Sequence, residues 1–235
     1  MLRRWDKLPE FMKNDEVKVY YEVLKKKRIS LILKRLLDVI LGTVLLIILL
    51  LPMVIIALCI KLDSKGPILY RQIRITSYGK QFRIHKFRTM INNADKIGTS
   101  VTISGDSRIT KIGALLRDYR LDELPQLIDI ISGNMSFVGT RPEIEKYVNY
   151  YKPEWNATFL LPSGLTNLTS IYYKDESKLL SVAENADKMY VENILPDKMK
   201  WNLKGLLEFS FINDLKILWT TFIAVILRKP YEIEG

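Results

Sequence analysis

Residues Val39 to Ile60 read VILGTVLLIILLLPMVIIALCI, 22 positions without one charged side chain. Wound as an α-helix, this stretch is about 33 Å long, roughly the thickness of the hydrocarbon core of a bilayer. The chain therefore meets a membrane. A secretory signal peptide fits poorly, because about thirty mostly polar residues precede the stretch and it exceeds the usual apolar length of about 7–15 residues.

The flanks and the middle of the segment bear on how it meets the membrane. Before it stand Lys25, Lys26, Lys27, Arg28, Lys34 and Arg35, and after it Lys61, Lys65, Arg71 and Arg74. Lys and Arg accumulate on cytoplasmic flanks, so a helix that crosses should have one basic side and one poorer side. Here both sides are basic. Pro52 removes a backbone donor inside the run and clashes with the carbonyl four residues earlier, which bends a helix. A bent helix returning to its own face reconciles the proline with the symmetric charge. A kinked spanning helix accommodates the proline as well, and the pattern alone leaves both open.

The remainder of the 235 residues, 27.4 kDa, suffices for one ordinary domain with a buried core. With 48% apolar and 26% charged residues, the chain is neither disordered, collagen-like nor a disulfide-stapled miniprotein. One cysteine, Cys59, and one histidine, His85, leave no Cys/His cluster for zinc or iron–sulfur ligation. A metal would need oxygen ligands, which favours a hard cation such as magnesium. The net charge of +10 favours an anionic partner: nucleic acid, a phosphorylated substrate or acidic lipid. The apolar segment selects the membrane among these and leaves no expectation of nucleic acid.

Beyond Ile60 the composition turns soluble. Ser64-Lys65-Gly66-Pro67 is a turn, and the alternating residues up to Ile75 and over Gln81-Phe82-Arg83-Ile84, separated by Ser77-Tyr78-Gly79-Lys80, predict a β-hairpin closed by Lys86-Phe87-Arg88-Thr89-Met90. Ile91 to Asp106 reads as loop. Helical spacing places a helix over Ile109 to Leu116 and another over Leu127 to Ile131 ending near Gly133, with further helical pieces around Ile144 to Tyr151 and from Leu203 onward. Ile217 to Leu227, bounded by Asp214 and Lys216 before it and Arg228 and Lys229 after it, is too short to span. It suits an interfacial helix or a core helix equally.

The chemistry gathers in Arg117-Asp118-Tyr119-Arg120-Leu121-Asp122-Glu123-Leu124-Pro125-Gln126. Asp122 and Glu123 fall where a helix begins, since Asp is a good N-cap and Pro125 fits a first turn. Free backbone N–H groups and the positive dipole end would lie beside them. A carboxylate there, with Arg117 and Arg120 near, is expected to stay ionised and to attack phosphorus or hold magnesium. Ordinary capping by an Asp-Glu pair accounts for the local pattern too. In Gly139-Thr140-Arg141-Pro142-Glu143, Pro142 fixes the backbone after Arg141, so that the guanidinium can grip a phosphate. Lys86 and Arg88, at the end of the hairpin, are candidates for further phosphate contacts. His85 is expected to pack or hydrogen-bond, not to act as a base.

Taken in order, several pieces resemble the bacterial sugar transferase family, the monotopic polyprenyl-phosphate phosphoglycosyl transferases, from about Lys34 to Arg228. They are Lys34-Arg35-Leu36-Leu37-Asp38, Pro52, Gly66-Pro67 with Arg71-Gln72, Lys86-Phe87-Arg88-Thr89-Met90, Arg108-Ile109-Thr110 with Gly113, Leu121-Asp122-Glu123-Leu124-Pro125-Gln126-Leu127, Gly133 to Gly139 with Arg141-Pro142, and Asp214-Leu215-Lys216-Ile217. The resemblance implies transfer of a sugar-1-phosphate from a nucleotide diphosphate sugar, such as a UDP-sugar, to polyprenyl phosphate (undecaprenyl phosphate), releasing a nucleoside monophosphate and initiating a lipid-linked glycan. It implies Asp122 as nucleophile, Asp122 and Glu123 as ligands of magnesium or manganese, and Lys86, Arg88, Arg117, Arg141 and Pro142 as substrate-binding residues. Lys34, Arg35, Asp38 and Pro52 would belong to the membrane anchor.

The implied fold class is α+β and mostly helical, a monotopic membrane protein with a re-entrant helix-break-helix, a small β-hairpin and interfacial amphipathic helices. Residues 1–30 would form a polar N-terminal extension, 31–60 the re-entrant helix and 61–235 a catalytic domain on the cytoplasmic face of a bacterial inner membrane, resting on anionic phospholipid with room for a homodimer. Thr140 and the run Asn167 to Tyr173 depart from the family pattern, the latter where sugar selection is expected. A non-catalytic membrane-associated protein that binds lipid or a partner would keep the apolar segment and the charge but has no need of the Asp122-Glu123 pair.

Overall fold

The computed structural model describes residues 2–94, 97, 102, 105–173 and 176–227, of which the side chains of 225–227 are left aside. Arg228 and Lys229 lie outside the described residues, as does part of the loop expected between Ile91 and Asp106. Among the described residues the ten α-helices in chain order are α1 (Asp15–Lys26), α2 (Arg28–Asp63), α3 (Lys111–Asp118), α4 (Leu127–Ser132), α5 (Glu145–Val148), α6 (Leu168–Tyr172), α7 (Glu176–Ser181), α8 (Ala186–Met189), α9 (Leu195–Leu207) and α10 (Phe211–Leu227). Six short strands, β1 (Leu69–Tyr70), β2 (Ile73–Ile75), β3 (Gln81–Arg83), β4 (Lys86–Phe87), β5 (Met135–Val138) and β6 (Ser163–Thr166), pair two by two. β1 with β4 and β2 with β3 are antiparallel, and β5 with β6 is parallel. The chain is thus mostly helical with few strands, and the expected hairpin is the β2–β3 pair turning through Ser77–Gly79.

The apolar stretch lies inside α2, a 36-residue helix and, by length and composition, the one helix among the described residues able to cross a membrane. Helical structure runs through Pro52 without interruption, where a helix-break-helix was expected. A proline can be kept inside such a helix without a break, because neighbouring groups and small local backbone adjustments re-satisfy the carbonyl that it frees. Leu31, Lys34, Asp38, Gly42 and Ile60 are buried. Between them Leu41, Leu45, Leu46 and Leu49 pack on one core cluster and Met53, Ile56 and Ala57 on another. These positions recur every three or four residues, one stripe of the helix. The opposite face, including Ile40, Ile47, Ile48, Leu51, Ile55 and Leu58, is exposed.

Both ends of α2 are fastened to the same folded body. At its start, Lys34 Nζ donates to the Val138 carbonyl (2.7 Å) and to Asp214 Oδ2 (2.6 Å), and Arg35 donates to the carbonyls of Ile130 and Ile131 (2.7 Å each) at the end of α4. Asp38 Oδ1 accepts from the Phe137 N–H and the Ser136 hydroxyl, 3.0 Å each, on β5. Lys34 and Asp38, 7% and 4% exposed, hold this end of the helix to the domain. At its end, Arg88 donates to the Lys65 carbonyl (3.0 Å) and to the Ser64 carbonyl and hydroxyl (2.7 and 2.9 Å), serving carbonyls that α2 leaves unpaired.

The polar N-terminal extension proves to be part of the core. Leu8, Met12, Val17, Tyr20, Tyr21 and Leu24 are buried against residues from Tyr147 to Phe209, and the Tyr20 hydroxyl donates to Glu154 at 2.5 Å. α1 begins at Asn14, whose side chain accepts from the Val17 N–H, and its buried positions repeat at 17, 20, 21 and 24, an amphipathic helix masked by its many charges.

Candidate active site

The Asp122-Glu123 pair sits in a 3-10 helix, Leu121–Gln126, wedged between α3 and α4. Residues three apart eclipse in this tighter helix, so Leu121 and Leu124 turn together onto the cluster of Ile60, Phe87 and Leu116, and the two carboxylates turn the other way. Asp122 is in the first turn and is not the cap. Arg120 takes the cap position with φ 57°, left-handed for a non-glycine residue, and makes no side-chain cap hydrogen bond. That conformation costs on the order of 1–2 kcal/mol, held where the surrounding structure over-determines it.

Three further elements bring cations to the pair. β4 carries Lys86, whose Nζ donates to Glu123 Oε1 at 2.8 Å and stands 4.0 Å from Asp122 Oδ2. The turn after β5 carries Arg141, which forms an ion pair with Glu123 Oε1 and lies 3.5 Å from Oε2. The last turn of α3 carries Arg117, which makes no side-chain hydrogen bond or ion pair among the described residues and acts electrostatically on Asp122. All of these line one open cleft of about 1630 Å³.

The two carboxyls are pushed in opposite directions. Burial pushes Asp122 up from the ordinary aspartate value, with the Glu123 charge adding to the rise and Lys86, Arg117 and Arg120 opposing it. Burial would raise Glu123 too, but Arg141 and Lys86 outweigh it and hold that carboxyl well below the usual range. Cations thus favour an ionised Glu123, while at Asp122 they oppose the rise caused by burial without outweighing it. Burial pulls Lys86 and Arg117 down, and Glu123 drives Arg141 up. Among the described residues no donor hydrogen-bonds the Asp122 carboxylate, which remains open to the cleft.

Of the substrate-binding candidates, Lys86, Arg117 and Arg141 converge on the pair. The Pro142 carbonyl accepts from Arg74 Nη1 at 3.0 Å. Arg88 also reaches the cleft wall, and its guanidinium donates to the Lys65 and Ser64 carbonyls just past the end of α2. His85 hydrogen-bonds as expected: its backbone N–H and its Nδ1 both meet the Asp129 carboxylate at 2.8 Å, fixing the residue beside Lys86. Sequence reasoning counted Arg74 only among the flanking charges and passed over Asp129. Neither has a local signal, because both act across strands and helices distant in sequence.

The fold and the cleft define a class first: a protein with a long apolar helix and a cation-ringed carboxylate pair in an open cleft. The chain belongs to the bacterial sugar transferase family, whose model matches residues 29–228. It is 32% identical over 206 residues to UDP-glucose:undecaprenyl-phosphate glucose-1-phosphate transferase of Escherichia coli, covering 86% of this chain and 42% of that protein. It is 41% identical over 142 residues to the protein of the same name from Caulobacter vibrioides, covering 59% of this chain and 53% of that one. The chain therefore spans about half the length of these curated relatives. Over 214 residues it is 31% identical to exopolysaccharide production protein PSS of Rhizobium leguminosarum, covering 85% of this chain and 98% of that protein.

Proposed function

We propose that the protein transfers a sugar-1-phosphate from a nucleotide diphosphate sugar, a UDP-sugar by analogy with the relatives' names, to undecaprenyl phosphate, releasing a nucleoside monophosphate and beginning a lipid-linked glycan. The observation that carries this reading is the Asp122 carboxylate, which accepts no hydrogen bond among the described residues and opens into the cleft 4.0 Å from Lys86, beside a Glu123 already neutralised by Lys86 and Arg141.

Both substrates are anions and repel each other, and a covalent enzyme intermediate divides the reaction into two steps. In the first, an Asp122 oxygen bonds to the sugar-bearing phosphorus while the bond from that phosphorus to the bridging oxygen breaks, and the nucleoside monophosphate leaves. In the second, an oxygen of the polyprenyl phosphate bonds to the same phosphorus while the acyl phosphate bond breaks, restoring the carboxylate. Lys86, Arg117 and Arg141 offset the charge on the transferring group. Asp122 and Glu123 supply two neighbouring carboxylates, which suits a magnesium or manganese ion completed by substrate phosphates and water. Among the described residues no group of three acidic or histidine ligands offers a closed metal cage. When bound, such an ion would neutralise phosphate charge.

The acceptor's geometry fits the same cleft. The lining of the cleft includes Leu45 and Leu49 of α2 and Leu218 and Phe222 of α10, apolar side chains suited to a polyprenyl chain. Fastening of both ends of α2 to one body, and three exposed cations on each flank (Lys25, Lys26 and Arg28; Lys61, Lys65 and Arg71), support a monotopic arrangement on the cytoplasmic face. The exposed Trp219 and Phe222 of α10 would lie in the interface.

The test is to incubate the purified protein, in lipid nanodiscs with magnesium, with a panel of nucleotide sugars. With donor alone, a phosphosugar adduct on Asp122 is expected by mass spectrometry, and addition of undecaprenyl phosphate discharges it. Asp122→Asn should keep membrane association and lose adduct and transfer. Retained transfer in that variant, or a wild-type protein that binds lipid and turns over no donor, would replace this reading with the non-catalytic one.

A further inference from the structure

The strand that carries Lys86 is held from two sides. Toward β1, the N–H groups of Ile84 and Arg88 donate to the carbonyls of Gln72 (3.0 Å) and Ile68 (2.9 Å), and Lys86 lies opposite Tyr70. Successive N–H groups of an extended chain point to opposite edges, so the His85 N–H faces away from β1, which is the strand partner of β4 among the described residues. Asp129 covers that second edge. Its Oδ2 accepts the His85 N–H and its Oδ1 meets the His85 Nδ1, 2.8 Å each.

Asp129 is 1% exposed, and among the described residues its carboxylate has no partner other than His85. A carboxylate withdrawn from water is costly unless its bonds offset the loss. It lies in the first turn of α4, which continues directly from the 3-10 helix carrying Asp122 and Glu123. One helical segment therefore grips two consecutive residues: His85 through Asp129, and the Lys86 ammonium through Glu123 at 2.8 Å.

The second grip is the one a substrate disturbs. A metal ion or phosphate arriving at Glu123 competes with its bond to Lys86. A lysine on a flexible four-carbon stem then stays beside Asp122, 4.0 Å away, only if its backbone is fixed. Neighbours in an extended stretch send their side chains to opposite faces, so the anchor at His85 leaves the cleft face to Lys86.

We propose that Asp129 is a positioning residue for the reaction: through His85 it sets the backbone from which Lys86 reaches Asp122 and the transferring phosphate. This rests on the proposed function above.

The test is a double-mutant cycle in nanodiscs, read as single-turnover release of nucleoside monophosphate, with each variant checked for an unchanged thermal unfolding transition. Asp129→Ala is expected to slow release about tenfold or more, since a misplacement of about 1 Å in an active site can cost about 100-fold. In a Lys86→Met background the same substitution should change the rate less than about twofold, because the group it acts through is gone. Asp129→Asn should stay within about threefold of wild type: its Oδ1 still accepts the His85 N–H, and its Nδ2 can donate to Nδ1 once the ring proton sits on Nε2. Equal losses in both backgrounds would overturn the proposal and leave Asp129 a brace for the fold alone, and so would an Asp129→Asn variant as slow as Asp129→Ala. Should Asp129→Ala unfold early, His85→Ala, which keeps the backbone bond and loses the ring bond, takes its place in the cycle with the same non-additivity expected. Where Lys86→Met is too slow to time, the cycle is read from the dissociation constant of the nucleotide sugar by titration calorimetry. A wild-type protein that binds nucleotide sugar and releases no nucleoside monophosphate would refute the reaction, and the calorimetric cycle would still decide whether Asp129 acts through Lys86.

Discussion

Lys34 and Asp214 stand 180 positions apart and meet in an ion pair of 2.6 Å, with side chains only 8% and 9% exposed. The pair joins the first turns of the apolar helix to the last helix of the chain, and the same ammonium also serves the Val138 carbonyl at the end of β5. Three elements of the cleft are thus tied at one nitrogen. Removing one member of a buried pair leaves the other uncompensated, at a cost of about 3–5 kcal/mol. Lys34→Met is expected to lower stability by that order in detergent, measured by denaturant unfolding, while the double variant Lys34→Met, Asp214→Leu regains much of it. A single variant as stable as wild type would contradict the buried pairing.

The raised Asp122 carboxyl has a consequence for pH. Attack requires the ionised form, so kcat/KM should fall as pH drops through a value above the ordinary aspartate pKa of about 3.9. In Glu123→Gln one charge that raises Asp122 is gone and Lys86 and Arg141 are freed to lower it, so the acid limb should move to lower pH even as the rate falls. Single-turnover release of nucleoside monophosphate across pH 4 to 8 measures both. A limb that moves upward in the variant would reverse the electrostatic assignment.

Gly113 of α3 lies against the backbone of Thr89, and a Cβ there would come 2.0 Å from the Thr89 carbonyl oxygen. The obstacle is backbone and cannot swing aside. Gly113→Ala should displace α3, destabilise on the order of 1–3 kcal/mol and carry Arg117, one turn onward, out of the site. Calorimetry together with the donor half-reaction tests this, and an alanine variant of full activity would deny the close packing.

The monotopic arrangement predicts that tags at the N- and C-termini are both protected in intact cells and both accessible in inverted vesicles. Labelling of one terminus alone from outside would make α2 a spanning helix.

Much of the outline was legible because it depends on spacing within short stretches. The charge-free run fixed α2, the turn residues fixed the β2–β3 hairpin, and Leu127 to Gly133 fixed α4 and its end, with Gly133 at φ 81°. Pro125 marked the short helix that carries Asp122 and Glu123, though its 3-10 form and the strained Arg120 cap were not in the pattern. The role of residues 2–27 was hidden by charges on the outer face of α1, whose inner face is a buried stripe.

The sequence by itself determined that the chain meets a membrane, which motifs it carries and in what order, since hydropathy and local periodicity are properties of neighbouring residues. Only the tertiary structure decided what each charge does: Lys34 pairs inside the protein, Arg88 closes a helix, Glu123 is neutralised while Asp122 stays open, and Arg74 lies beside the cleft with an unmet donor. The reason is that the effect of a charge depends on its burial and on distances through space, and in this fold both are set by segments up to 180 positions away.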